Sequence, residues 1–123
     1  MKPSLHKQRL GKLGEDFACS FLKKKGFRIL ERNFRKRYGE LDIVALYGKI
    51  LVFVEVKTRV GYEFGTPEEA VTPWKLREVV RMAQFYKSLH PELPESLRID
   101  VIGVVLDDFG TLERITHTPN VTF

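Results

Sequence analysis

The chain has 123 residues and a formal net charge of +5, with one cysteine and three histidines. That length gives one domain over residues 1–123, and with no apolar run near about 18 residues and no charged-then-apolar leader, a cytoplasmic chain that does not cross a membrane is expected. Cys19 alone excludes an internal disulfide, and His6, His90 and His117 are too scattered to give zinc-ligand spacing.

The positive charge is concentrated at the start. Residues 1–37 carry 12 Lys and Arg against 3 Asp and Glu, a balance of +9 that leaves −4 for the remainder. Leu10, Leu13, Gly14, Phe17, Ala18, Phe21 and Leu22 recur at helical spacing, so an amphipathic helix is expected from about His6 to Lys25, stopped by Gly26. Lys23, Lys24 and Lys25 close that helix; they suit phosphate contact and the helix dipole equally well. FRILERNFR then reads as a first strand, and its Arg28, Arg32 and Arg35, with Lys36 and Arg37 after them, favour phosphate contact.

Gly39 to Arg59, GELDIVALYGKILVFVEVKTR, reads as two strands joined by Gly48-Lys49, a pair suited to a type II′ hairpin turn with Gly at positive φ. With Tyr47 facing Ile50, the register sets Leu46 against Leu51, Val44 against Phe53, Asp42 against Glu55 and Glu40 against Lys57, all on one side of the sheet. Two carboxylates then face each other with Cβ atoms about 5 Å apart, which is destabilising unless a cation bridges them. Mg²⁺, or Mn²⁺ in its place, suits such a pair, because it takes one or two protein carboxylates and fills its shell with carbonyl, water and phosphate oxygens. Lys57 brings an ammonium to the same face, able to orient or deprotonate an attacking water and to stabilise charge on a phosphorane-like transition state. A solvated strand face with a Glu40–Lys57 ion pair is the bland alternative. VFVEVK speaks against it, since it reads as a central strand, where an unpaired charge is expensive.

The loop from Val60 to Thr72, containing GYEFGTPEEAV, follows Lys57 directly and has glycines for close backbone approach, so it is expected to border a substrate channel. Pro73 suits the first position of a second helix running to about Ser88. On that helix Lys75 and Gln84 are secondary candidates for contact with phosphate or water, Gln84 fitting a solvated position as well. Trp74 and Tyr62 suit stacking on unpaired bases or anchoring of the loop. Leu97–Leu106 reads as a strand whose Asp100 is expected to pair with a base such as Arg98 or to cap a loop, and Leu112–His117 as a shorter one. The order is αβββαβ with a final β.

Asp42 followed by Glu55-Val56-Lys57 resembles the PD-(D/E)XK nuclease signature, with Leu41 where the name of the signature has Pro. Over nearly the whole chain, LGKLGEDFACSFLKKKGFRILERNFR, GELDIV, FVEVKTR, FGTPEEAVTPWK and LRIDVIGV resemble the bacterial UPF0102 (YraN-like) family, which is similar to archaeal Holliday junction resolvases. The resemblance implies an α/β, restriction-endonuclease-like fold with an αβββαβ core, its mixed sheet flanked by helices. It implies Asp42, Glu55 and Lys57 as catalytic residues, and Asp42, Glu55, the Val56 carbonyl and Glu15 of GED as holders of one or two Mg²⁺ ions. By pattern alone Glu15 fits a surface glutamate nearly as well. The expected partner is nucleic acid, DNA above all and branched substrates among them, met by Lys24, Lys25, Arg35, Lys36, Arg37, Arg59 and Lys75; a homodimer is implied by the two-fold symmetry of a four-way junction. The expected function is a metal-dependent endonuclease. Its alternative is a nucleic-acid-binding adaptor that retains the constellation, and a metal-free splicing-type endonuclease finds no His-Tyr-Lys grouping here.

Overall fold

Helix α1 spans Lys7–Lys24 and turns Gly14, Ala18, Cys19 and Leu22 inward. It stops because Gly26 takes φ 94°, which lets the Phe27 and Gly26 N–H groups donate back to the Leu22 and Lys23 carbonyls at 3.0 and 3.1 Å. The computed structural model describes residues 7–63 and 65–121. The helix start expected at His6 lies outside them.

Strands β1 (Arg28–Lys36), β2 (Gly39–Tyr47) and β3 (Ile50–Val60) form an antiparallel meander. Gly48, at φ 59°, supplies the turn that sets Tyr47↔Ile50 and every pair up to Ile43↔Val54 in the expected register. Helix α2 (Pro73–Leu89) then crosses over, begun by Thr72, whose Oγ1 accepts from the Lys75 N–H at 3.1 Å, and by Pro at its first position. It delivers β4 (Ser96–Leu106) parallel to β3, and β5 (Leu112–Thr118) closes antiparallel to β4. The sheet order is β1-β2-β3-β4-β5, a mixed α/β sheet with the expected αβββαβ order. Among the described residues no helix is long and apolar enough to cross a membrane.

A helix covers each face. On one, Ala18, Cys19 and Leu22 of α1 pack with Ile43, Ala45, Val52, Val54, Ile102, Val104 and Leu106. On the other, Val79, Met82, Ala83 and Tyr86 of α2 pack with Phe34, Leu41, Val44, Leu51 and Phe53. β3 therefore feeds both cores by alternation, Val52 and Val54 to the first and Leu51 and Phe53 to the second.

Strict alternation fails at one place in β2. Ile43 and Ala45 belong to the α1 side, yet Leu41 belongs to the α2 side, and across β1 the partner of Ile43, Arg32, reaches Asp16 of α1 while the partner of Leu41, Phe34, packs under α2. Between these pairs lie Asp42 and, opposite it, Asn33 in the left-handed region at φ 53°. Asn tolerates that conformation better than most residues, and one residue there is enough to exchange the two faces.

The parallel pairing of β3 with β4 decides what meets at the ends of the sheet. The ends of β3 and β4, the N-terminus of α2, the β1–β2 turn and the first half of α1, whose Gly14 lies against Thr58, share one end. The end of α1, the Gly48 turn and the start of β4 share the other.

Candidate functional site

Past Ile43↔Val54 the β2–β3 ladder opens, and the next donor along β3, the Val56 N–H, goes to a side chain: Asp42 Oδ2 accepts it at 2.9 Å. Glu55 sits beside it, only 8% exposed, and hydrogen-bonds to the Asp42 carboxylate. The two acids thus meet as the turn register requires, but in a notch where the strands part. Glu40 does not continue the ladder to Lys57, which corrects that expected pairing. Its carboxylate instead takes the Arg35 Nε of β1 at 2.9 Å, on the exposed edge of the notch.

The cost of this arrangement shows in the acidities. Burial first, then the neighbouring Asp42 charge, pushes Glu55 up to about 8, against a pull from Lys75. Burial likewise pushes Asp42 up to about 6, although the Val56 N–H favours its ionised form. At neutral pH the pair therefore keeps a proton that two separate carboxyls would have lost. Lys75 Nζ, projecting from the first turn of α2, stands 4.0 Å from Glu55 Oε1. Among the described residues no third His, Cys, Asp or Glu completes a ready ligand cluster with the pair. A buried and a half-buried carboxylate, hard oxygen donors short of positive charge, fit Mg²⁺, which needs no more than one or two carboxylates from the protein.

Glu15 approaches from α1 but is turned toward β1. Its Oε1 is 3.6 Å from Arg32 Nη2; burial raises its pKa, hydrogen bonding to Asn33 and the Arg32 charge partly offset that rise, and its charge is felt at Asp42. Lys57 is paired with Gly103 of β4 and, by alternation with Phe53 and Glu55, projects from the α2 side. Arg59, two residues on, has its Nε buried without a hydrogen-bond partner.

The basic residues singled out in the sequence divide into two groups. Lys36, Arg37, Arg59 and Lys75 stand at the end of the sheet that holds the carboxylates, with Arg35 engaged by Glu40. Lys24 and Lys25 stand at the other end, and α1's rise of about 1.5 Å per residue puts them roughly 15 Å from Glu15 along the helix. Lys25 is occupied there, its Nζ donating to His117 Nδ1 at 2.8 Å. Asp100, wholly buried, does pair with Arg98 and accepts from the Asn120 N–H, as its setting in an apolar strand suggested.

Two contributors escaped the sequence reading. Glu68, on a single 3₁₀ turn (Glu68–Ala70) before α2, lays its carboxylate over Gly103, the β4 partner of Lys57; the paired glutamates of TPEEAV were the only available signal. Gly14 lies so close to Thr58 that any Cβ would strike the Thr58 hydroxyl, which brings α1, and Glu15 with it, down onto the strand that carries Lys57.

The sequence profile described as "Uncharacterised protein family UPF0102" matches residues 14–104, a stretch that includes Glu15, Asp42, Glu55, Lys57, Lys75 and Asp100. The chain is similar to a UPF0102 protein of Geobacter metallireducens, 44% identical over 95% of this chain and 94% of the relative. A UPF0102 protein of Syntrophomonas wolfei is 46% identical over 92% of this chain and 96% of its own length. One from Chlorobium phaeobacteroides is 48% identical, covering 88% and 91%.

Proposed function

This chain belongs to the UPF0102 family, and from that premise and the geometry of the notch we propose that it is a metal-dependent nuclease that hydrolyses phosphodiester bonds in DNA, branched DNA included. The observation that carries the reading is the pairing of the buried Glu55 with the half-buried Asp42. A fold gains nothing from two carboxylates pressed together in a mostly apolar sheet, and the arrangement makes sense as a cation seat held in readiness.

Asp42, Glu55 and the Val56 carbonyl would hold the ion, with Glu15 as a further carboxylate from α1. When bound, Mg²⁺ supplies Lewis acidity toward a phosphate oxygen and lowers the pKa of water. The Val56 N–H holds Asp42 Oδ2 and so orients this carboxylate beside Glu55. Lys57 positions the attacking water and neutralises charge that builds on the phosphate. Lys75 serves the same end from the start of α2, where the helix dipole adds positive potential. Lys36, Arg37 and Arg59 offer the flanking phosphates their cations.

The test is a panel of labelled four-way junction, flap, single strand and blunt duplex, incubated with Mg²⁺ or Mn²⁺ beside Lys57→Ala and Glu55→Gln. Metal-dependent cutting that falls by about a thousandfold in either variant, with affinity nearly unchanged, is the expected result. Tight, salt-sensitive binding with no cutting of any substrate would replace the nuclease with an adaptor.

A further inference from the structure

Beside the carboxylate notch lies a groove of about 710 Å³ between the β1–β2 turn and α2, lined by Lys36, Arg37, Tyr38, Trp74, Arg81 and Phe85, with Met82 and Glu78. Its aromatic rings are unusually open: Tyr38 is 80% exposed and Trp74 is 62% exposed. Rings left in water at this density call for an occupant, since a folded chain ordinarily covers such surface. Three cations stand among them against the single carboxylate of Glu78, so the groove offers π faces interleaved with positive charge. One of those cations already rides on a ring, Arg37 Cζ lying 5.6 Å from the centre of Tyr38.

The groove is continuous with the site. Trp74 immediately precedes Lys75, whose ammonium is 4.0 Å from Glu55, and Lys36 pairs with Gly39 at the head of the strand that carries Asp42. We propose that this groove holds unpaired nucleotides of a DNA strand, stacked on Trp74 and Tyr38 with their phosphates on Lys36, Arg37 and Arg81, so that the chain acts where single-stranded DNA adjoins the scissile phosphate. The proposal rests on the DNA reading above and adds its substrate class. A blunt duplex keeps its base faces stacked within the helix and has nothing to offer these rings. An unpaired strand presents both a π face and a phosphate at every step, the two features the groove provides.

Trp74 is the chain's only tryptophan, so the groove carries its own reporter. The full-length chain is titrated with a dT oligomer of about 12 nucleotides in EDTA, where no cleavage takes place, and tryptophan emission is followed alongside the anisotropy of a labelled copy. Saturable quenching is expected, with no quenching by a blunt duplex. Trp74→Ala should weaken oligomer binding on the order of tenfold and Trp74→Phe by no more than about threefold, both keeping the wild-type melting temperature because the side chain is exposed. Oligomer binding without a change in emission overturns the proposal, as does a Trp74→Ala variant that binds like wild type. So does a stronger response to an rU oligomer, or a dimer in sedimentation that Trp74→Ala abolishes, which would make a second copy the occupant. Failure here is separable from failure of the nuclease reading: a chain that cuts duplex DNA without any Trp74 response loses only the groove, and quenching in a chain that cuts nothing loses only the nuclease.

Discussion

Asp100 and Glu55 are both buried in neighbouring strands, Asp100 opposite Val54 and Glu55 one step further along, yet the protein treats their charges in opposite ways. Asp100 faces the α1 side and is surrounded by donors: Arg98 Nε and Nη2 at 2.8 and 2.9 Å, His117 Nε2 at 2.8 Å and the Asn120 N–H at 2.9 Å. His117 is itself fixed by Lys25, which can only donate to Nδ1 and so leaves the proton on Nε2 for Asp100. Burial alone would raise the Asp100 pKa, but the Arg98, Asn120 and His117 hydrogen bonds outweigh it and hold the pKa below the ordinary carboxylate value. Glu55 faces the α2 side and meets another acid, with a lysine 4.0 Å away. The first charge is neutralised inside the fold and ties β5 and the following segment to β4. The second is left for something to neutralise, which is how a binding seat differs from a structural ion pair.

The largest expected effect falls on the satisfied acid. Asp100→Asn should lower stability by about 3–5 kcal/mol in urea unfolding, because it takes the charge partner from the half-buried Arg98 guanidinium and from His117. A loss below about 1 kcal/mol would mean that Asp100 is worth no more to the fold than an exposed ion pair. On the unsatisfied side, Mg²⁺ at about a hundred times its dissociation constant should raise stability by about 2.7 kcal/mol at pH 8, read by thermal shift, and should add nothing measurable to Glu55→Gln. An equal shift in both proteins would move the seat elsewhere.

The two regions also predict pH dependences of opposite sign. Asp42 and Glu55 have folded values raised to about 6 and about 8, so the stability they lend is fully present below their ordinary values of 3.8 and 4.5 and is lost as pH rises through those raised values. Asp100 has a lowered value, so its contribution is present above 3.8 and is lost as pH falls below it. Without divalent cations, wild type should lose stability relative to Glu55→Gln between about pH 5 and pH 8. Parallel curves for the two proteins would show that the pair carries no strain. The smallest effect belongs to the exposed Arg35–Glu40 pair. Arg35→Ala should cost less than about 1 kcal/mol, a baseline for what a carboxylate's partner is worth once water reaches it.

Much of the site was legible because it depends on local rules. One glycine turn fixes the hairpin register as far as Ile43↔Val54, and its continuation by one step puts Asp42 beside Glu55, 13 positions on in the chain. The Asp100–Arg98 pair was legible for a similar reason, two residues apart on one face of a strand. The exchange of faces at Asn33 and Asp42 was not, since it depends on a left-handed residue in β1 and on which helix lies over each side of β2. Nor was the separation of the basic residues. Lys24 and Lys36 are 12 apart in sequence, but α1 runs away from the notch and β1 runs back toward it, so only Lys36 arrives.

The sequence by itself determined the elements, their order, the hairpin register and the pairing of two acids, because each follows from hydrophobic period, turn chemistry or the alternation of a strand. Tertiary structure decided which charges would be answered and which would not. Whether a buried carboxylate meets a guanidinium, as Asp100 does, or a second carboxylate and one backbone N–H, as Glu55 and Asp42 do, depends on groups carried there by other strands and helices. The groove formed by Tyr38 and Trp74 is the same case, two rings 36 positions apart that become neighbours only when α2 lies beside the β1–β2 turn. Local periodicity carries no information about such meetings, since electrostatic and stacking energies are set by distance in space and by burial, and the packing of the whole chain fixes both.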